Sequence, residues 1–568
     1  MQESTNAPAL PPEEAERERR RRFEKNKWLF SASGIGRDMV YQLIASFLLT
    51  YIQFGVSLTL AQFTTLSLII GVGGRIWDAI NDPLMGAIIE GSHIRWGKFK
   101  PWILLGAISC GLVIICMFGI QSIPGWRFVV FMSVIYLLWE STFTMNDIGY
   151  WAMLPSLSSV KEERNAVTML TVLFAGIGAI IAQGVIPMVT VGDVRAGYRM
   201  VAIVIALVFI GSQVMTAVGV KETPRPRAEK AEKISLKKMW KTIARNDQIL
   251  WMTLSMLFYN IGSTLLTALA ANLLYLELGY NGTLYFYVVC AYGITSVVVN
   301  ILYPWLVGML GRRRLQDISI GAAIVGYILL ALMGWSQVFP FSIVLLCAFC
   351  VLISSGQSLF YMASIVNMTN CVEYNDYKHG ERNEAVVSTL RPFMAKFAAA
   401  MHTLIITLVL TVSGTFLLSQ SISALETQRD FFARMEGLEL GTAAYDALAV
   451  EIGEEIAADP AMAAYQLDPQ YIPALGDAMV MATDAAGGAR ELGRLGELDP
   501  AALTAGESYT LEVGDLSSGE ESAANLHFRD KRTLSMRVWL RLAVTLVPIL
   551  LLLAALFIQK RKFIIDEA

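Results

Sequence analysis

Charge is scarce in this chain. Of its 568 residues only 16% are Asp, Glu, Lys or Arg, against 55% hydrophobic ones, and the mean hydropathy is +0.51. A soluble globular domain carries about 25% charged residues, so this composition excludes one. Histidine is nearly missing as well: His93, His379, His402 and His527 make no metal-ligand spacing. The six cysteines (Cys110, Cys116, Cys290, Cys347, Cys350 and Cys371) lie in or beside apolar stretches, where no extracellular disulfide framework is built. CAFC at 347–350 has the spacing of a metal motif but no second pair, so it reads as packing. No nucleophile motif or phosphate-cradling loop is found, so neither an enzyme nor a bound cofactor is expected, and nothing points to nucleic acid. The basic leader runs into a full-length apolar stretch without a small-residue cleavage pattern, so no cleavable signal peptide is expected.

Long apolar runs are what the chain does have. A membrane-spanning helix needs about 20 mostly apolar residues, and twelve such stretches are legible. They cover approximately 38–58, 64–90, 101–121, 128–154, 165–189, 198–219, 249–275, 283–309, 315–335, 341–369, 385–413 and 536–559. Basic residues crowd alternate loops: RERRRRFEKNK before the first span, HIRWGKFK after the second, KEER after the fourth, KETPRPRAEKAEKISLKK after the sixth, GRRR after the eighth and QKRK near the end. By the positive-inside rule these loops and both termini face the cytoplasm.

The expected fold class is an all-α membrane protein of twelve transmembrane helices in two six-helix halves, the major facilitator fold. Residues 1–30 read as a solvated basic tail, with RRRR serving as an orientation signal more than as a lipid contact. The N-terminal bundle is set at 31–220, a charged linker at 221–248, and spans seven to eleven at 249–415. The insertion is set at 416–535, the twelfth span at 536–559 and a cytoplasmic tail at 560–568. A weak internal repeat supports the halves: DPLMGAIIEGSHIRWGKFKPW after span two and YPWLVGMLGRRRLQ after span eight each place a Pro, a Gly and then a basic loop.

Residues 421–530 break the symmetry on the outer side. They hold 21 Asp and Glu against 5 Arg and no Lys, a net charge of −16. Loops beyond about 15 residues are usually functional or disordered. The composition of 421–460 favours helices, while ATDAAGGARELGRLGELDP reads as looser. An acidic cover over an outer vestibule and a solvated insertion with no part in transport both remain open.

A charge at the centre of a span costs roughly 2.5–3.5 kcal/mol on insertion scales, so intramembrane charges are functional candidates. They fall in particular spans: Asp38 at the start of span one; Arg75, Asp78 and Asp82 in span two; Glu140 and Asp147 in span four; Arg391 and Lys396 in span eleven. Asp78 and Asp82, four apart, project from one helix face and repel unless a cation neutralises them. Hard cations take oxygen ligands, and Asn81 and Thr144 can complete an all-oxygen shell. Pairing of the acids with Arg75 or Lys396 is the alternative, and the two are compatible. In NDIGYWAMLP, Asp147 and Trp151 share a face. An aromatic platform beside a carboxylate suits a sugar, whose C–H face stacks on the ring while its hydroxyls donate to the acid. A Trp near a membrane end is also a common interfacial anchor.

GIGRD at 34–38, RIWDAINDPLMG at 75–86, RWGKFKPWIL at 95–104, TMNDIGYWAMLP at 144–155 and EYNDYKHGERNEA at 373–385 together resemble the glycoside–pentoside–hexuronide:cation symporter family. The resemblance covers nearly the whole chain outside the N-terminal tail and residues 421–530. It implies a coupling site for Na+, H+ or Li+ at Asp78, Asn81, Asp82 and Thr144. It further implies sugar contacts from Arg37, Asp38, Asp147 and Trp151, and a Lys396 close to the cation. Glu373, Asp376, Arg382 and Glu384 match the family's cytoplasmic gate. An Arg that helps hold galactosides in the family's fifth span is replaced by Val172. Glu140 and Arg391 look like additions; Arg391 with Lys396 can balance Glu140, or receive an anionic sugar such as a hexuronide. Arg75 is read as a charge-balancing partner.

The expected activity is therefore sugar uptake coupled to Na+ or H+ by a monomer in the bacterial inner membrane. A lysolipid or other amphiphile symporter is the competing transport reading, and a non-transporting membrane sensor the competing reading of another class.

Overall fold

A computed structural model of the chain describes residues 12–92, 96–121, 123–158, 160–221, 247–336, 339–379, 384–420, 422–423, 479–483, 488–494, 508–512 and 531–563, with a few single positions besides. Among the described residues, eleven helices are long and apolar enough to cross a membrane. The expected first span coincides with a further helix, Gly34–Gly55, whose Arg37, Asp38, Gln42 and Gln53 make it less apolar than the others.

In chain order the N-terminal half comprises α1 (Pro12–Ala32), α2 (Gly34–Gly55), α3 (Leu60–Leu68), a π-helical turn (Ile69–Gly73), α4 (Gly74–Gly91), α5 (Lys100–Gly119), α6 (Gly125–Met153), α7 (Lys161–Thr190) and α8 (Val194–Gly219). The C-terminal half comprises α9 (Asp247–Leu278), α10 (Gly282–Leu310), α11 (Arg312–Leu332), α12 (Ile343–His379), α13 (Glu384–Ser413), α14 (Leu534–Arg541), a second π turn (Leu542–Leu546) and α15 (Val547–Lys562). Within the first half α2 packs on α7 and α8, and α5 on α6 and α8. Within the second, α9 packs on α13 and α15, and α12 on α10 and α11. Local sequence sets the starts: Thr59 and Gln62 exchange side-chain-to-backbone bonds in a capping box ahead of α3.

Two sequence expectations change. The segment read as a solvated tail is helical from Pro12, and Phe23, Asn26 and Phe30 are buried. Their spacing of three and four puts them on one helix face, which packs against α7 and α8. The insertion also contains a small antiparallel sheet of β1 (Met479–Thr483), β2 (Ala489–Arg494) and β3 (Ser508–Glu512) in the order β2-β1-β3. Period-two burial of Val480 and Ala482 in β1 was too short a signal to separate from loop. The fold is thus nearly, not wholly, helical. The helices expected at 421–460 and the linker at 222–246 lie outside the described residues, apart from isolated positions in the former.

Contacts between the halves gather at one end, the end the basic loops assign to the outside. Phe63 stacks on Phe416 at 4.1 Å, and Phe54 meets Tyr275 at 5.8 Å and Tyr280 at 5.7 Å. Gln53 donates to Asn272 at 2.7 Å; Gln420 donates to the Gln53 carbonyl and accepts from the Leu58 amide, both at 2.8 Å. At Gly282 the backbone of α10 lies so close to Pro187 of α7 that a Cβ would fall 2.0 Å from the Pro187 carbonyl oxygen. Only glycine permits that approach.

A second fixed point ties the end of the insertion to the bundle. Glu277, its side chain 2% exposed, accepts from Arg537 at 2.9 and 3.1 Å and from Arg541 at 2.7 Å, with Arg532 at 3.9 Å. Both Arg537 and Arg541 lie over Trp335, and both donate to carbonyls at the end of α11. Replacing Glu277 by Ala strands buried Arg541 without its counter-charge. The expected loss is ~3–5 kcal/mol, read as a lower thermal unfolding midpoint of the purified protein in detergent; an unchanged midpoint contradicts the clamp.

Candidate functional site

Two charged clusters among the described residues draw on α6. The first joins α4 and α6 of one half to α13 of the other. Its approach is set by the π turn that precedes α4, a feature often found at functional sites. There Gly71 faces Thr403 of α13, and an added Cβ would come within 2.5 Å of that side chain. The close seam lets Lys396 of α13 reach across to α4. Its ammonium bonds to Asp82 and lies 3.6 Å from Asp78. On the other side of Asp78, Arg75 donates at 2.7 Å, and the same Arg nitrogen is 3.9 Å from Glu140. Glu140 accepts from the Tyr136 hydroxyl at 2.6 Å, and Thr144 donates to Asp82 at 3.4 Å.

Burial decides what this arrangement can do. Asp78 is 2% and Glu140 4% exposed, whereas the Asp82 and Lys396 side chains are each 37% exposed. Among the described side chains, Asp78, Asp82 and Glu140 are three acids against Arg75 and Lys396, which leaves one negative charge in excess of these five. Buried charge is tolerated only when paired, so the cluster suits one further positive charge: a monovalent cation or a proton. Asn81 is buried beside it with its amide nitrogen unpartnered. Among the described residues no three His, Cys, Asp or Glu converge as a metal site, and Lys396 faces both aspartates. Of the two readings left open by the sequence, the structure shows the pairing of these acids with Arg75 and Lys396.

The second cluster lies at the start of α2 and on α6. Arg37 donates to Asp38 at 2.6 Å and to Asp147 at 2.8 Å. Its guanidinium sits 4.8 Å from the Trp151 ring and 5.2 Å from Tyr150. One face of the expected aromatic platform is thus taken by Arg37, and one negative charge is again in excess.

The structure brings together eleven residues read from the sequence: Arg75, Asp78, Asn81, Asp82, Glu140, Thr144 and Lys396 in the first cluster or beside it, with Arg37, Asp38 and Asp147 meeting Trp151 in the second. Of the gate residues, Glu373 is exposed near the end of α12. Arg382 lies outside the described residues, as do the side chains of Asp376, Glu384 and Arg391. Nearby, Lys378 donates to Asp247 at 3.3 Å and to the Tyr374 hydroxyl at 3.1 Å, a contact the sequence reading missed. It missed Tyr136 and Tyr150 too. Tyr136, one turn before Glu140 on the same helix, was the legible one.

The profile of the MFS/sugar transport protein family matches residues 29–431. The chain belongs to this family. The match bears out the symporter resemblance of the motifs and the expectation of a transport protein, not an enzyme. The lactose permease of Lactobacillus delbrueckii subsp. bulgaricus is 26% identical over 403 residues, which are 68% of this chain and 62% of that protein. The raffinose carrier protein of Pediococcus pentosaceus is 24% identical over 404 residues, 67% of this chain and 61% of that one. The chain thus covers less than two thirds of the length of these relatives. Among solved structures, a bacterial homologue of the human lysosomal transporter Spinster in an inward-facing, occupied conformation superposes with a TM-score of 0.54 at 11% identity, covering 99% of this chain and 100% of that one. That likeness establishes the fold alone.

The charge count yields a test. Arg75→Met leaves Asp78 and Glu140 with one fewer cation and is expected to cost on the order of 3 kcal/mol. Adding Glu140→Gln removes one of the stranded carboxylates and restores part of that loss. Additive losses in thermal unfolding of the two single variants and the pair contradict the shared charge balance.

Proposed function

We propose that the protein is a secondary symporter that takes up a sugar together with one monovalent cation, Na+ or H+, across the bacterial inner membrane, with both termini in the cytoplasm. The observation that carries this reading is the cluster of three carboxylates and two basic side chains shared between the halves, one positive charge short of balance among the described side chains. A transport cycle needs a cargo cation whose binding changes how strongly the halves hold each other. Lys396 supplies that link.

When a cation neutralises Asp78 and Asp82, it competes with the Lys396 ammonium for the same oxygens. The ion thereby weakens a bond that crosses the seam, and its arrival is felt by the opposite half. Arg37, Asp38, Asp147 and Trp151 form the sugar-facing surface one helix away, on α2 and α6. Sugar hydroxyls replace the contacts Arg37 makes with the two aspartates, and the Trp151 ring receives the apolar face of the sugar once Arg37 swings from it. Because α6 carries Thr144 and Asp147 three residues apart, the ion and the sugar act on one rigid element. Each ligand must favour the same conformation, so each raises the affinity of the other by the same factor.

The experiment is uptake into proteoliposomes of a panel of neutral glycosides and uronides, with and without Na+ at two pH values. Cation-stimulated, saturable uptake is expected for the parent chain. Asp82→Asn is expected to abolish the stimulation while the protein still inserts and folds; undiminished coupling in that variant rejects the assignment.

A further inference from the structure

Resting on the sugar-symport reading, the structure reaches further into which sugar is carried. A cavity of about 50 Å³ lies at the seam between α7 of the first half and α9, α10 and α12 of the second. Ile180, Leu266 and Val288 give it apolar walls, and Gln183, Thr267 and Tyr292 give it polar ones. No lining residue carries a charge. Gln183 donates to Gln42 of α2 at 2.9 Å, and Gln42 follows Asp38 by four residues. One helical turn rises about 6 Å, so the cavity adjoins the outward side of the Arg37, Asp38 and Asp147 cluster.

Size and chemistry narrow the occupant. A water-sized group needs about 10–15 Å³ of such volume, so the cavity admits a few heavy atoms and not a sugar ring. The polar walls have hydrogen-bonding capacity to spare. Thr267 donates to the Thr264 carbonyl at 2.9 Å and Tyr292 donates to Gln357, which leaves both oxygens as acceptors. Gln183 retains its carbonyl oxygen and a second amide hydrogen. Apolar walls around a few acceptors and one donor match a CH2 bearing an OH. A carboxylate placed there would be buried without a counter-charge, which is costly, and a sugar lacking the arm would leave the cavity empty.

We propose that this cavity receives the exocyclic hydroxymethyl arm of a neutral hexoside, and that it discriminates hexosides from pentosides and hexuronides.

The test is binding to the purified full-length protein, by calorimetry, of methyl glucoside, methyl xyloside and methyl glucuronide, together with methyl galactoside and its arm-less counterpart methyl arabinoside. In at least one series the hexoside is expected to bind about tenfold or more tightly than the matched pentoside, the scale of a filled against an empty small pocket. Ala270→Leu, which fills the cavity from α9, and Gln183→Leu, which keeps the volume but removes the polar wall, are each expected to bring that ratio close to one by weakening the hexoside. Should one variant fail to fold, the other carries the test. A pentoside or uronide that outcompetes its hexoside, or a hexoside preference that survives in a folded variant, overturns the inference while leaving sugar transport intact. A folded parent chain that binds no sugar of either series overturns the transport reading itself, and this inference with it.

Discussion

Lys396 is the hinge of the whole arrangement. Among the described residues it is a basic side chain that crosses from one half to the acids of the other. Taking it away leaves half-exposed Asp82 without its cation and Asp78 with Arg75 alone; fixing it there permanently would lock the halves together. A transporter needs a bond strong enough to hold and replaceable enough to release, and a lysine facing two aspartates meets both demands when a mobile cation competes for the same oxygens. The π turn, the Gly71 approach to Thr403 and the placement of Arg75 all serve to put that ammonium and those carboxylates at one point.

The sequence reveals the actors better than their partners. Asp78 and Asp82, four residues apart in an apolar helix, stand out because a bilayer penalises them, and the same penalty picks out Glu140, Asp147 and Lys396. Fold and topology follow from apolar run length and from loop charge. What the sequence does not show is pairing between distant segments. Nothing in it says that Arg37 lies on Trp151, that Glu277 gathers Arg532 from the end of the insertion and Arg537 and Arg541 from α14, or that Gln420 grips Gln53. Those pairings depend on tertiary placement, and a buried Gln or Glu at the end of a span looks locally like any helix terminus. The short β1 strand was hidden for a different reason: five residues are too few for period two to rise above its surroundings.

The two charged clusters also differ in kind. The first spans both halves, with Lys396 of one bonded to the acids of the other. The second, as the structure shows it, lies within the first half, where Arg37 already satisfies Asp38 and Asp147. A sugar arriving there must compete with an intramolecular ion pair, which favours ligands that offer several hydroxyls at once over those that offer one. On the symport reading proposed above, selectivity and ion coupling rest on separate charge balances on a shared helix.

The ring contacts at the outer end carry a consequence for the empty protein. Aromatic pairs contribute about 0.5–1.5 kcal/mol each beyond the area they bury, so the three contacts made by Phe54 and Phe63 with Tyr275, Tyr280 and Phe416 amount to roughly 1.5–4.5 kcal/mol. On the scale where about 1.4 kcal/mol is a factor of ten, they favour the outwardly closed shape by somewhere between about tenfold and a thousandfold. On the symport reading proposed above, opening that end costs these contacts, so weaker ring stacking raises the open population and with it the apparent affinity for a ligand that enters there.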